Sequence, residues 1–513
     1  MNFATIVDRH PESSTALISQ GRVTTYGQLR RQIDEVRAGL LAAGLQPGDR
    51  LAIVNANTWF FVVSYLATLG AGGVAVPLNP QAPPTELQAE LAATGARIAV
   101  VGPRGRDSFA GVDRMAVELE RVLVPEGVRL DAAEPFEELF GGEPAPVVGR
   151  DEHDDAVLMF TAGTAGPRKA ARLTHGNLLA NLQQVQAHPG LVGGPDDVAL
   201  GVLPLFHIFG LNAVLGLALF VGSSVVLLER FDPASSLEAV REHGITVVAG
   251  APPLFGAWAS VPGADATALE SVRLVVSGGA PLADEVAEAF QVRFDRPIWQ
   301  GYGLTETSPI VSSSLVGGEP RRGSIGLPLP GVDVRLVDPE GEDALSGDPG
   351  EIWVRGPNVF PGYWNDPEAT ALVLTVAGTD DRGEDRWLKT GDIAVTDDDG
   401  YLYLVDRAKD LIIVSGFNVF PAEVEEALLE HPGIDEAGVV GVSHPYTGEA
   451  VKAYVVPRPG RHLEEDEVIE FCAERLARYK CPTSVSFVDQ IPQGLVGKVL
   501  RRELRGAPGG GQA

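Results

Sequence analysis

Apolar residues return every three and four positions in LRRQIDEVRAGLLAAGL, Leu29 to Leu45, the spacing of a helix with one face on a core. The runs LAIV, VAVPL, RIAVV, SSVVLL, ITVVAG and RLVVSG are instead short and β-branched, which predicts buried strands. The two patterns alternate as far as about Gly331, as layered, mostly parallel α/β sheets require. Beyond it VDVRLVD, GEIWVRG, DIAVTDDDG and YLYLVDR are closely spaced strands with turn signals, which predicts a small antiparallel, barrel-like subdomain. After Asp406, EVEEALLEHPG, GVVGVSHP, VKAYVVP and DEVIEFCAERLARY mix helix and strand again. The predicted class is α/β. A large N-terminal domain spans 1–406, with 331–406 its β-rich part. A smaller α+β C-terminal domain spans 407–505, and the tail 506–513, GAPGGGQA, is expected to be disordered.

Two apolar runs need a decision. Val198 to Leu228 holds no Asp, Glu, Lys or Arg, and its length would cross a bilayer. It also holds Pro204, His207, Asn212 and several glycines, so it divides into strand, loop, helix and strand. Trp59 to Leu78 divides likewise into an apolar helix, the break GAGG and the strand VAVPL. Neither is expected to span a membrane.

Composition narrows the function. The 513 residues exceed one core and imply roughly two to four domains. The formal net charge is -29, a poor match to nucleic acid or an anionic membrane, though a few local cations suffice for a small anion. Cys472 and Cys481 are the two cysteines. They form no CxxC or zinc spacing and are expected to be buried structural thiols. The N-terminus MNFATIVDRHPESS has no basic region followed by an apolar run, so a cytoplasmic protein is expected.

Five short stretches carry candidate chemistry. FTAGTAGPRKAARLTHGN, Phe160 to Asn177, follows the strand AVLMF and leads towards a helix. Its glycine-rich turn can aim several backbone N–H groups at one anion, and Lys169 adds a point charge. The spacing is not that of a Walker A loop. QGYGLTET, 300–307, places Tyr302, Thr305 and Glu306 on one tight turn. The aromatic ring can stack on a base, and a carboxylate beside phosphate can hold Mg²⁺. WLKTGD ends in Asp392, VDRAKDLIIVSGFNVFPAEVEE carries Arg407 and Lys409 at the expected domain joint, and IPQGLVGKVLRREL carries Lys498.

In this order the motifs resemble those of the adenylate-forming superfamily, which includes acyl-CoA synthetases, aryl-CoA ligases, luciferases and peptide-synthetase adenylation domains. TYGQL, LATLGAGGVAVPLNP, LPLFHIFG, SGGAPL, QGYGLTET, GEIWVRG, KTGD, DRAKDLIIVSGFNVFP and LARYKCP carry the resemblance over nearly the whole chain. It implies that a carboxylic acid reacts with ATP to give acyl-AMP and pyrophosphate, and that CoA then takes the acyl group. ATP, Mg²⁺ and CoA are the implied cofactors. By the same resemblance Thr161, Gly163, Thr164, Gly166 and Lys169 would hold the β- and γ-phosphates. Gly279, Ala280 and Pro281 would lie along the adenine, Tyr302 would stack on it, and Gln300 would sit near its amine. Thr305 would touch the α-phosphate and Glu306 would bind Mg²⁺. Asp392 would take the ribose hydroxyls, with Arg407 close by. Lys498 would reach in from a mobile C-terminal domain that turns at Lys409, and Gly416 would line the pantetheine channel. His207 and Phe209 would lie at the acyl pocket. Amino-acid-activating relatives carry an Asp at the position of His207, because a buried ammonium needs a paired charge. The expected acid is therefore a medium- or long-chain aliphatic acid or an aryl acid. The oligomeric state, monomer or homodimer, stays open.

The phosphate loop departs from the family pattern TSGTTG, a residue, then Pro-Lys-Gly. Ala162, Ala165, Arg168 and Ala170 replace Ser, Thr, Pro and Gly, and Gly494 and Val496 replace a Thr and a Ser near Lys498. A hydrogen bond to a charged group contributes roughly 1.5–3 kcal/mol. Two lost hydroxyls therefore amount to about 3–6 kcal/mol, or on the order of 10² to 10⁴ in ATP binding or rate, unless water or Arg168 compensates. Two other readings stay open: a binding protein for nucleotide, acyl-AMP or CoA without turnover, and an adenylating enzyme with a non-CoA acceptor. Restoring both hydroxyls, Ala162→Ser with Ala165→Thr, is expected to lower the KM for ATP or raise kcat in steady-state assays. A double variant no better than its parent would refute this view of the loop.

Overall fold

The computed structural model describes residues 1–161, 168–188, 193–318, 320–376, 386–407, 410–414, 417–444, 447–494 and 499–505. The first predicted helix is Tyr26–Ala42. Thr25 caps it: its hydroxyl accepts from Gln28 N at 3.2 Å, and Gln28 Oε1 accepts from Thr25 N at 2.9 Å, a reciprocal cap that satisfies two otherwise orphaned donors. Leu29, Ile33, Val36 and Leu40 form the buried face, as the three-and-four spacing requires. Helix Trp59–Gly70 is buried nearly all round. Among the described residues no helix is long and apolar enough to cross a membrane.

The run from Val198 to Leu228 folds as strand Val198–Gly201, a loop, the π-helix Phe209–Gly216 continued by helix Leu217–Val221, and strand Ser224–Leu227. Gly222 ends the helix at φ +86°. A Cβ there would lie 2.7 Å from His10 Nδ1, so both backbone and space favour glycine.

Among the described residues the strands form three sheets. The first has 14 strands. Ser224–Leu227, Val198–Gly201, Val247–Gly250, Leu274–Ser277 and Trp299–Gly303 run parallel to their neighbours. At Trp299–Gly303 the pairing changes to antiparallel, through Ile310–Ser313 and Ser324–Pro328. The β-rich strands Leu402–Arg407, Arg386–Thr396, Gly350–Arg355 and Asp333–Val337 continue from there. In the second sheet, of eight strands, Asp155–Thr161 lies parallel to Val74–Leu78. Lys169–Thr174 follows antiparallel, and Gly362–Tyr363 forms the edge.

The third sheet has five strands and packs on helices Pro421–Leu429 and Glu465–Ala473 through Val424, Leu428, Val439, Val455, Val468 and Cys472. Cys472 and Cys481 are buried and free, and burial pushes the Cys472 thiol up to about 11, as expected of a packed, unreactive cysteine. Strand Leu402–Arg407 belongs to the first sheet and Ile412–Val414 to the third. Just before Ile412–Val414, buried Asp410 pairs with Arg501 at 3.3 Å and Arg505 at 3.1 Å, and Arg501 pairs with Glu425 at 2.7 Å. This ion-pair group ties the start of the third sheet to helix Arg501–Arg505.

Candidate active site

The hairpin of Asp155–Thr161 and Lys169–Thr174 brackets the phosphate-loop candidate. Thr161 lies opposite Lys169, and its hydroxyl donates to Lys169 O at 3.4 Å. Gly163, Thr164 and Gly166, with Ala162 and Ala165, lie outside the described residues. Lys169 Nζ stands 5.3 Å from the centre of the Tyr363 ring, within cation–π range. The Tyr363 hydroxyl donates to Glu306 Oε1 at 2.7 Å. Burial, then the nearby Glu306 charge, raises the Tyr363 pKa, so the phenol stays a proton donor. One aromatic side chain thus joins the cation of the second sheet to the carboxylate that follows the first.

Thr305 and Glu306 sit in the single turn Thr305–Thr307 after strand Trp299–Gly303. Phe360 N donates to Glu306 O at 2.9 Å. Buried amides fix the turn: Asn358 Nδ2 donates to Thr307 O at 2.9 Å and Asn212 Nδ2 to Ser308 O at 2.7 Å. Gly303 cannot carry a side chain, because a Cβ would run into Pro309 O.

The adenine and ribose candidates gather around the strand where the sheet changes direction. Gly279, at φ +84°, Ala280 and Pro281 form the turn after Leu274–Ser277. A Cβ on Gly278 would lie 3.2 Å from the Phe209 ring and 3.3 Å from Gly301 O, so SGGAPL, FHIFG and QGYG meet there. Gln300 is held by its backbone: its N–H donates to Ser314 Oγ at 2.9 Å and its carbonyl accepts from Ser314 Oγ at 3.1 Å. The Tyr302 hydroxyl donates to Asp392 Oδ2 at 2.7 Å. Tyr302 is 8% and Asp392 6% exposed, so this contact is a buried, charge-assisted bond. Asp392 N donates to Thr390 Oγ1 at 3.1 Å, and the Asp392 backbone lies opposite Arg407.

His207 lies in the loop after Val198–Gly201. Asn57 holds that loop: its Nδ2 donates to Gly201 O and Leu203 O, and its Oδ1 accepts from Leu205 N. Phe209 N donates to His207 Nδ1 at 3.3 Å, which puts the ring proton on Nε2. Burial lowers the His207 pKa, so the imidazole is neutral at pH 7. Lys409, Gly416 and Lys498 lie outside the described residues.

Three features escaped the sequence reading. Tyr363 sits in PGYWNDPEAT, which resembles a surface turn. Asn358 and Asn212 are lone amides with no local pattern. Arg168 turns to helix Pro84–Thr94, where its Nη1 pairs with Glu86 at 2.9 Å and Glu90 at 3.4 Å. The four-residue spacing of those two glutamates was the available signal.

Residues 3–364 match the family described as AMP-binding enzyme, and residues 423–498 match AMP-binding enzyme C-terminal domain. The chain is 39% identical over 497 residues to a feruloyl-CoA synthase of Amycolatopsis sp, with 96% of this chain and 95% of that protein covered. It is 35% identical over 526 residues to a long-chain-fatty-acid–CoA ligase of Bacillus subtilis (strain 168), with 97% and 92% covered. The crystal structure of ATP-bound MatB from Rhodopseudomonas palustris is similar with a TM-score of 0.89 and 32% identity, over 98% of each chain. A family match that covers most of the chain, with relatives this similar along their whole length, places it: the chain belongs to the adenylate-forming AMP-binding enzymes, in their acyl-CoA synthetase branch.

Proposed function

We propose that this AMP-forming acid–CoA ligase acts on an apolar acid, medium- or long-chain aliphatic or aryl. In the first step a carboxylate oxygen attacks the α-phosphorus of ATP, the bond to the β-phosphate oxygen breaks, and pyrophosphate leaves. In the second the CoA thiol loses its proton to water, its sulfur attacks the acyl carbon, the bond from that carbon to the phosphate oxygen breaks, and AMP leaves. The observation that carries the ATP-dependent step is the Tyr363 bridge, which sets Lys169 and Glu306 on one side chain; the apolar acid rests on the neutral His207.

Lys169, with Thr161 and the loop beyond it, binds the β- and γ-phosphates. Thr305 contacts the α-phosphate, while Gly279, Ala280, Pro281, Gln300 and Tyr302 surround the adenine. Asp392 takes the ribose, with one carboxylate oxygen already held by Tyr302. Glu306 suits Mg²⁺: it is a hard oxygen donor whose Oε1 is oriented by Tyr363. No group of three or more His, Cys, Asp or Glu side chains suited to a metal occurs among the described residues. A single protein carboxylate, completed by phosphates and water, is how Mg²⁺ is commonly bound. When bound, the ion would neutralise charge on the phosphate oxygens.

The neutral His207 gives an ammonium no partner, in keeping with an acid that lacks an α-amino group. The proposed division is 1–406 and 407–505, with Lys409 as hinge, Gly416 on the CoA channel and Lys498 serving the first step. A rotation would withdraw Lys498 and admit the thiol. ATP and CoA make the cytoplasm the compartment of this reading.

Mass spectrometry of a reaction with Mg-ATP, CoA and a pool of aliphatic acids of graded length and aryl acids is expected to show acyl-CoA. Acyl-AMP alone would move the acceptor away from CoA, and no product with nucleotide still bound would leave a binding protein. Tyr302→Phe is expected to weaken AMP binding about tenfold in calorimetry, the loss of one hydrogen bond to a buried carboxylate. Unchanged affinity would remove the Tyr302–Asp392 pair from the nucleoside site.

A further inference from the structure

We infer that Arg168 is a positioning residue for ATP: held by Glu86 and Glu90 of helix Pro84–Thr94, it fixes the start of the strand that carries Lys169. The inference rests on the reading of Lys169 as a phosphate ligand.

Arg168 occupies the place where the family pattern has proline. Proline stiffens a chain covalently, by fixing φ and reducing the freedom lost on ordering. In this chain proline stands one place earlier, at Pro167; Arg168 itself has no such constraint, and its side chain supplies a second hold. Its guanidinium reaches both carboxylates of one helix face, at 2.9 Å and 3.4 Å. An exposed pair of this kind would contribute little. The Arg168 side chain is 46% and that of Glu86 25% accessible, but Glu90, at 5%, is buried. Its Oε2 has no hydrogen-bond partner among the described residues. Among the described residues Arg168 is the cation that pairs with this buried carboxylate, which gives its guanidinium a positional preference. Lys169 follows directly, with its backbone paired to Thr161 and its ammonium over Tyr363, which holds Glu306. A continuous set of contacts therefore runs from the helix through Arg168 and Lys169 to the metal-type carboxylate.

The contact is also sensitive to protons. Burial raises the Glu90 pKa to about 7; Arg168 lowers it and Glu86 raises it, and these are the charged groups that act on it. Below that pH Glu90 is neutral and its half of the ion pair is lost, so ATP binding weakens as pH falls. For folding the sign is opposite, since an ionised, buried Glu90 costs stability as pH rises through 7.

The test is calorimetric titration of the full chain with ATP and with AMP, which lacks the β- and γ-phosphates. Arg168→Ala is expected to weaken ATP about tenfold and leave AMP within about twofold. Arg168→Lys is expected to recover much of the loss. From about pH 8 to about pH 6 the preference for ATP over AMP should fall in the parent and fall less in Glu90→Gln. Unchanged ATP affinity in Arg168→Ala, or an equal loss of ATP and AMP, would overturn the inference. A parent that binds ATP no better than AMP would overturn the reading of Lys169 and the inference with it.

Discussion

Two anions must be brought together. A carboxylate has to approach a triphosphate within bonding distance, and like charges about 4 Å apart repel by about 4 kcal/mol even at a surface-like dielectric. The chain itself has a formal net charge of -29, so its overall field adds to the difficulty. Placed cations and oriented donors must offset it locally, and such preorganised charge is usually the largest catalytic contribution. Lys169 lies on a strand of the second sheet and Glu306 on the turn after a strand of the first, and Tyr363 holds both. The buried amides of Asn212 and Asn358 then keep the Glu306 turn from drifting.

The sheet explains why the site lies where it does. Strand Trp299–Gly303 is parallel to one neighbour and antiparallel to the other. Crevices open beyond the ends of strands where the order changes. Gln300 and Tyr302 lie on that strand, Glu306 just beyond it, and Gly279 beside it. Asp392 reaches the same place from the β-rich region through its bond to Tyr302. That contact couples the nucleoside side of the site to strands far along the chain.

Local patterns were legible. Leu29, Ile33, Val36 and Leu40 announced their helix by spacing alone, and Pro204, His207 and Asn212 divided an apolar run that is long enough to be taken for a membrane span. The motif residues Tyr302, Thr305, Glu306 and Asp392 were visible through the order of their motifs along the chain; Thr305 and Glu306 do lie on a turn, whereas Tyr302 and Asp392, read as turn residues, lie within strands. What stayed hidden was non-local. Tyr363 matters through an edge pairing with Ala171 that no spacing reveals. The continuity of the β-rich strands with the parallel sheet depends on Ser324–Pro328 pairing with Leu402–Arg407, far apart in sequence. Arg168 was read as a possible compensation for the lost loop hydroxyls, whereas its partners lie on a helix many residues earlier.

Placed charge on the phosphate side is the claim on which the rest turns, and Lys169→Ala tests it most directly. The two half-reactions would be followed separately, as ATP–pyrophosphate exchange and as conversion of synthetic acyl-AMP to acyl-CoA. Loss of a charge that serves the triphosphate should slow exchange by about 10² or more and leave the second conversion within about threefold. An equal fall in both, or no fall in exchange, would contradict the assignment of Lys169 to the departing phosphates.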